Sequence, residues 1–309
     1  MDTVWHWLEN WLISRRNQNQ SIQTIQAYSR DVTDFLKFCE AKKLDIYAIE
    51  TSDLREFLTF KVEQGRLGRS SLQRQLSAIR QFMKWVSENH LISQNITKDF
   101  QLKRHARPLP GLVDPETIIQ ILEQPAPQSE VQRQLWLRDK ALLELLYSSG
   151  IRLSEIQGLT FKDIDFQRKL IRITGKGNKT RIVPFGESAK SAILAWLQIY
   201  QLWKGKFKPD DAVFISQQSG EALGVRQIEK RVKFQAQRAG VNVDLHPHLL
   251  RHCFASHLLS GSGDLRAVQE MLGHSNLSTT QIYTHLDFDR LASVYDQAHP
   301  RAQKVKADT

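Results

Sequence analysis

The sequence predicts a mainly α protein with a small β-sheet, split into an N-terminal helical domain and a C-terminal α+β domain. Three observations carry that reading. The first ~100 residues show apolar positions at three- and four-residue spacing and no alternating run. A basic stretch with two prolines and a glycine, 101–113 (QLKRHARPLPGLV), then breaks the pattern as an inter-domain linker would. Beyond it helical spacing returns, interrupted by one pair of alternating segments between 169 and 184.

In the first domain Val4, Trp7, Leu8, Trp11 and Leu12 mark one apolar face. Ile22, Ile25, Tyr28, Val32, Phe35 and Cys39 mark a second, opening after Ser21. Leu54, Phe57, Leu58, Lys61 and Val62 mark a third, with Ser52 as its expected cap. Leu72, Leu76, Ile79, Phe82, Met83 and Val86 mark a fourth, capped by Ser70 or Ser71. Four such faces joined by short links make a small bundle. Its outward positions, as in GRLGRSSLQRQLSAIR, are hydroxyls, amides and guanidiniums, which suit phosphate contacts and suit a solvated face equally well.

In the second domain Asp114 caps a helix that has Pro115 at its first position. A long helix runs through Leu135, Leu142, Leu145 and Leu146 and stops at Ser148–Ser149–Gly150. Arg152 follows at once, and Ser154–Glu155 opens a short helix. Lys169–Thr174 and Thr180–Pro184 read as a hairpin with Lys176 riding in its Gly-Lys-Gly-Asn turn. Helices are expected at 187–203, 225–239 and 247–260, with a short strand at Val213–Ile215. The helix opening at Pro247 puts His248, Arg251 and His252 on one face. Gly261 and Gly263 end it, and Asp264 starts another that buries Leu265, Val268, Met271 and Leu272. Gly273 closes that helix and leaves His274 at its end. A further helix from about Ser278–Thr279 carries Tyr283 in its first turns. Three helix ends thus bring polar groups toward one another.

Composition narrows the partner. There are 43 Lys+Arg against 33 Asp+Glu, a net charge of +10. The excess is not a tail: residues 1–110 hold 17 basic against 12 acidic groups, and the remainder 26 against 21. Nucleic acid is the favoured acidic partner, ahead of a membrane surface. Cys39 and Cys253 read as buried reduced thiols. The N-terminal MDTVWHWLENWLISRR has neither the apolar run nor the cleavage site of a signal peptide, so a cytoplasmic location is expected.

Several chemistries fail on spacing. Gly-Lys-Gly at 175–177 lacks the preceding glycine and following Ser/Thr of a phosphate-binding loop. The histidines at 246, 248, 252 and 257 lack an HExxH frame. Asp163 and Asp165 read better as turn residues than as a nuclease pair, and no Gly-x-Ser-x-Gly elbow exists. What remains suits phosphoryl transfer without a metal or cofactor. Arg152 and Arg251 can hold the non-bridging oxygens of a phosphodiester bidentately. Tyr283 is a usable nucleophile, Lys176 a general acid for the leaving oxygen, and His248 a base. Taken singly, each has a plainer reading: a surface His–Arg pair, a carbonyl-capping arginine, a core tyrosine.

With those residues in view, the chain resembles the tyrosine recombinases of the phage integrase family. The matching stretches are SSGIRLSEIQGL, TGKGNKTRIVP, HPHLLRHCFASHLL and LGHSNLSTTQIYTH, in that order. The segment from Ser262 to Ala302 is closer still to the Xer chromosome-dimer recombinases, and it carries the choice between that subfamily's two sister types. The resemblance implies that residues 1–106 form a SAM-like core-DNA-binding clamp and 107–309 the catalytic domain. It implies that Arg152 and Arg251 bind the scissile phosphate and that Lys176 protonates the leaving oxygen. His248 would then assist proton transfer, His274 hydrogen-bond the phosphate, and Tyr283 form a 3′-phosphotyrosyl link. Cys253 stands where relatives commonly have Ser, and His252 and His285 are read as structural. The resemblance further implies a double-stranded DNA recombination site, a heterotetramer with the sister recombinase XerD, and the FtsK translocase acting through XerD. The helix at 287–299 would dock into a neighbouring protomer, and the cellular role would be resolving chromosome dimers for segregation at cell division. Other readings are a XerD-like or integrase-type recombinase, a topoisomerase, a DNA-binding regulator on the same fold and a metal nuclease.

Overall fold

A computed structural model describes residues 4–18, 20–65, 69–92, 95–98, 100, 111–175, 180–273 and 285–302. The chain divides into two compact units, Met1–Ala106 and Arg107–Thr309.

The first unit is built from α1 (Val4–Asn17), α2 (Ile22–Ala41), α3 (Thr51–Glu63) and α4 (Arg69–Glu88). Their apolar faces meet in a core of Trp11, Phe35, Leu54, Phe57, Ile79 and Phe82. Trp11 stacks on Tyr28 with centroids 5.6 Å apart and meets Phe82 edge-on at 5.4 Å. Ser21 caps α2 through the Thr24 N–H, as expected. The cap of α3 is Glu50 rather than Ser52. Asp53 reaches back to the Glu50 N–H at 2.8 Å, a reciprocal arrangement that starts the helix one residue before Ser52. Because α4 already includes Arg69, neither Ser70 nor Ser71 is its cap.

In the second unit α5 (Pro115–Leu122) leads to α6 (Glu130–Ser149), the axis of the domain. Residues 141–149 of α6 are buried all round, because α8 (Glu187–Lys204) and α10 (Pro247–Ser262) pack on different sides of it. The sheet is three-stranded and antiparallel, in the order β1 (Ile164–Asp165), β2 (Leu170–Thr174), β3 (Thr180–Pro184). The hairpin expected from alternation is β2–β3, in register Thr174↔Thr180. Two-residue β1 is too short to leave a period in the sequence. The expected strand at Val213–Ile215 is instead a chain held by isolated bridges, Thr160↔Ala212 and Ile215↔Ala222. Asp163 caps a 3-10 turn through Thr160, and Asp165 accepts from the Gln167 and Arg168 N–H groups, so both are turn residues. The remaining helices are α7 (Leu153–Gln157), α9 (Val225–Arg238), α11 (Leu265–Leu272) and α12 (His285–Ala298).

Helix α12 lies on its own domain, against α10 and β3. Leu291 and Tyr295 are buried, and the chain beyond is pinned by Arg301, which reaches Glu144 on α6 and Glu123. Of the helix at 287–299, expected to seat in a neighbouring protomer, Leu291 and Tyr295 are thus covered within this chain.

Gly150 ends α6 at φ +58, and a Cβ there would lie 2.2 Å from the Phe254 ring. Gly240, after α9, has φ +69 and open space around it. Gly150→Ala is therefore expected to cost about 2–4 kcal/mol, backbone strain plus overpacking, against about 1 kcal/mol for Gly240→Ala. Urea denaturation of the two variants checks the difference.

Candidate active site

The site is assembled where α6 stops, α10 begins and α11 ends. Gly150 turns the chain so that buried Ile151 anchors the segment and Arg152 takes the N-cap position of α7. Its backbone N–H donates to Glu155 Oε2 at 2.7 Å, and its Nη1 to Glu155 Oε1 at 2.9 Å. Arg251 sits one turn into α10, which is capped by His246 through the Leu249 N–H. Arg251 donates through Nη1 to the Gly150 carbonyl and through Nη2 to the Leu272 carbonyl at 2.7 Å.

A third guanidinium completes the group. Arg181 of β3 forms a bidentate pair with Glu155, both bonds 2.8 Å, and donates through Nε to the Met271 carbonyl at 2.9 Å. Arg152 Nη2 reaches the Gly273 carbonyl at 3.4 Å. The last carbonyls of α11 (Met271, Leu272 and Gly273) thus each receive one arginine, at the end of the helix where the backbone dipole is negative.

The charge balance defines what this place can hold. Among the described residues, Arg152 and Arg181 share the Glu155 carboxylate and Arg251 pairs with none, leaving two net positive charges in a partly buried setting. Burial, then the charges of Arg152 and Arg181, push the Arg251 guanidinium down to about 10, so it stays protonated at neutral pH but is short of anions. Burial would raise the Glu155 carboxyl. The Arg181 hydrogen bonds, the Arg152 N–H and the attendant charges outweigh it and bring the group to about 2. The missing counter-charge is one that a phosphodiester supplies, with oxygens matched to guanidinium forks.

Of the six residues expected at the site, the structure brings Arg152 and Arg251 to one helix end. His248 lies exposed one turn before Arg251 on α10, its ring 6.5 Å from that of His246. Lys176, His274 and Tyr283 lie outside the described residues. Among the described residues no three potential metal ligands converge. His257 is bonded to the Tyr147 hydroxyl at 2.9 Å, away from His248. Glu155 and Arg181 were not anticipated. The signal for Arg181 was in the hairpin: alternation puts it opposite Ile173 on the core-facing parity, a charge where an apolar residue belongs.

Glu155 is a positioning residue for Arg152. Its folded-state value lies below the ordinary 4.5, so its contribution is present above about pH 5 and lost as pH falls toward 2. That contribution is about 3 kcal/mol. Glu155→Gln is expected to lower stability by about 2–4 kcal/mol at pH 7 and to flatten the acid limb of a urea-midpoint-versus-pH curve. An unchanged acid limb in the variant would show that another carboxylate carries it.

Comparison with known proteins agrees with this geometry. Residues 113–290 match the phage integrase family, and residues 8–90 match the phage integrase N-terminal SAM-like domain. The chain is 42% identical over 302 residues to the tyrosine recombinase XerC of Pseudomonas syringae pv. tomato, covering 97% of this chain and 98% of that protein. It is 40% identical to XerC of Haemophilus influenzae, covering 96% and 97%. Among solved structures, the XerH site-specific recombinase bound to difH in a pre-cleavage complex is 26% identical, covers 93% of this chain and 82% of that one, and has a TM-score of 0.64. XerC is the sister type that the C-terminal segment favours. The chain belongs to the phage integrase family and is a XerC-like tyrosine recombinase, an enzyme that cleaves and rejoins DNA strands.

Proposed function

We propose that this site-specific recombinase, which acts in chromosome dimer resolution, works through the six residues singled out in the sequence. The observation that supports this best is the surplus of two positive charges at the end of α11, with Arg152 and Arg251 both fixed there. In this reading the two guanidiniums hold the non-bridging oxygens of one phosphodiester, with His274 as a further donor. The Tyr283 oxygen attacks phosphorus and passes its proton to His248. The bond from phosphorus to the 5′-oxygen breaks, and Lys176 protonates that oxygen. The product is a 3′-phosphotyrosyl ester and a free 5′-hydroxyl. The ester keeps the bond energy, so an incoming 5′-hydroxyl reverses the step on a new strand.

The first unit, which matches the SAM-like domain, serves as a DNA-binding clamp, and the second unit carries the strand-cutting chemistry. The relative XerH is solved on its difH substrate, which fits a double-stranded recombination site here as well. The partner is XerD in a heterotetramer, with FtsK acting through XerD, and the location is the cytoplasm. No described helix is long and apolar enough to cross a membrane. The cis seat of α12 is also the seat for the same helix from a neighbouring protomer: a stripe that fits its own pocket fits that pocket in a second recombinase of this kind.

Tyr283→Phe is expected to abolish denaturation-resistant adducts with a nicked suicide duplex in EDTA, while duplex binding stays nearly unchanged. An adduct formed by the Phe variant would reassign the nucleophile. Binding is also expected to weaken steeply with salt, with log K falling against log salt at a slope of roughly −5 or steeper, as six or more phosphate contacts require. A shallow slope in a salt titration would rule out a DNA clamp built on that many phosphate contacts.

A further inference from the structure

Helix α9 carries a feature that the strand-cutting chemistry does not use. It packs against α7, the helix that Arg152 caps. Its inner face buries Ile228, Val232, Gln235 and Ala236. Its outer face exposes Arg226, Lys230, Lys233 and Gln237, and among them Phe234, which is 46% exposed. Arg226 and Lys230 make no ion pair with any described residue, whereas Lys233 is paired with Asp244 at 2.8 Å and Glu229 is exposed at the flank of the same face.

A lone exposed phenylalanine is ordinary on a protein surface. This one is held. The Arg231 guanidinium lies over its ring, 4.5 Å from the centroid. Arg231 in turn donates through Nε to Asp139 Oδ2 at 2.6 Å. Asp139 is fully buried on α6 and also accepts from Arg138, through Nε and Nη2, and from Gln235 at 2.7 Å. Three side chains thus fix one carboxylate, the carboxylate fixes Arg231, and Arg231 caps one face of the Phe234 ring. Side chains fixed before binding lose little entropy on contact, which favours a specific contact over a general one.

The geometry points to Phe234 as a base-reading residue: with α9 lying in the major groove beside the cleavage site, its ring packs on the C5 methyl of a thymine. Arg226 and Lys230 meet the flanking phosphates, and Arg231 and Asp139 are positioning residues for the ring. Apolar contact with the thymine methyl is one of the few ways an uncharged side chain distinguishes base pairs in that groove. The inference rests on the recombinase reading and deepens it by naming a determinant of site choice.

Selection of duplexes from a library with a randomised core, using the full chain, tests it. The wild type should enrich a consensus, and Phe234→Ala should lose about 5-fold or more of its preference at one T·A pair while keeping the other positions, the loss typical of one read base pair. Replacing that thymine by uracil, which removes only the methyl, should weaken the wild type and leave the variant unaffected. Because Phe234 is exposed, the variant should keep the wild-type thermal midpoint, and Phe234→Leu should keep part of the preference. An unchanged consensus in Phe234→Ala, or an equal loss at every position, overturns the inference. In that case covalent capture through Tyr283 still stands as evidence for the recombinase reading. A wild type that enriches no consensus overturns both.

Discussion

The bidentate pair between Glu155 and Arg181 is the contact on which the rest of the catalytic domain's functional end depends. Three guanidiniums cannot be gathered at one helix terminus without a compensating charge, and Glu155 supplies it from a nearly closed position. Placing the carboxylate three residues after Arg152 lets it hold the Arg152 backbone and side chain while Arg181 brings in the hairpin. One acidic side chain therefore joins a helix stop, a β-strand and the end of α11. Buried ion pairs of this kind contribute less to net stability than to fixing one arrangement, because desolvation offsets much of their attraction.

The sequence was most legible where a local rule sets the geometry. The stop at Gly150, the cap at Asp114, the hairpin from 170 to 184 and the helix opening at Pro247 all follow from residue chemistry within a few positions, and all appear as expected. It was least legible where tertiary contacts decide. Glu155 read as a helix-opening residue and Arg181 as one member of an alternating run; only the fold shows them facing each other. The plainer reading of Arg152 as a carbonyl-capping arginine fits its bond to Gly273, whereas Arg251, plainly read as half of a surface His–Arg pair, caps the Gly150 and Leu272 carbonyls. Strand β1 escaped notice because two residues carry no period, and the Val213–Ile215 run was apolar through burial rather than through strand pairing.

The C-terminal helix shows a related economy. Its apolar stripe could be read from spacing, but its partner could not, since any complementary groove satisfies the same pattern. What fixes the present seat is Arg301, placed between Glu144 and Glu123, together with the close backbone approach at Gly186 and Gly261. A side chain at either glycine would meet the chain of the 298–301 segment. The pocket is therefore shaped for one helix in one register.

Hydrogen-bond arithmetic at the helix terminus explains why arginine stands at 152 and 251. A guanidinium has five N–H donors in a fixed plane. Arg251 spends two of its donors on the carbonyls of Gly150 and Leu272, and Arg152 spends two side-chain donors on Glu155 and Gly273. Each has three N–H donors beyond those contacts while remaining bolted to the scaffold. An ammonium has three donors in all, so a lysine tied to the same two partners would keep only one. The scaffold's own demand for hydrogen bonds favours the side chain with more donors.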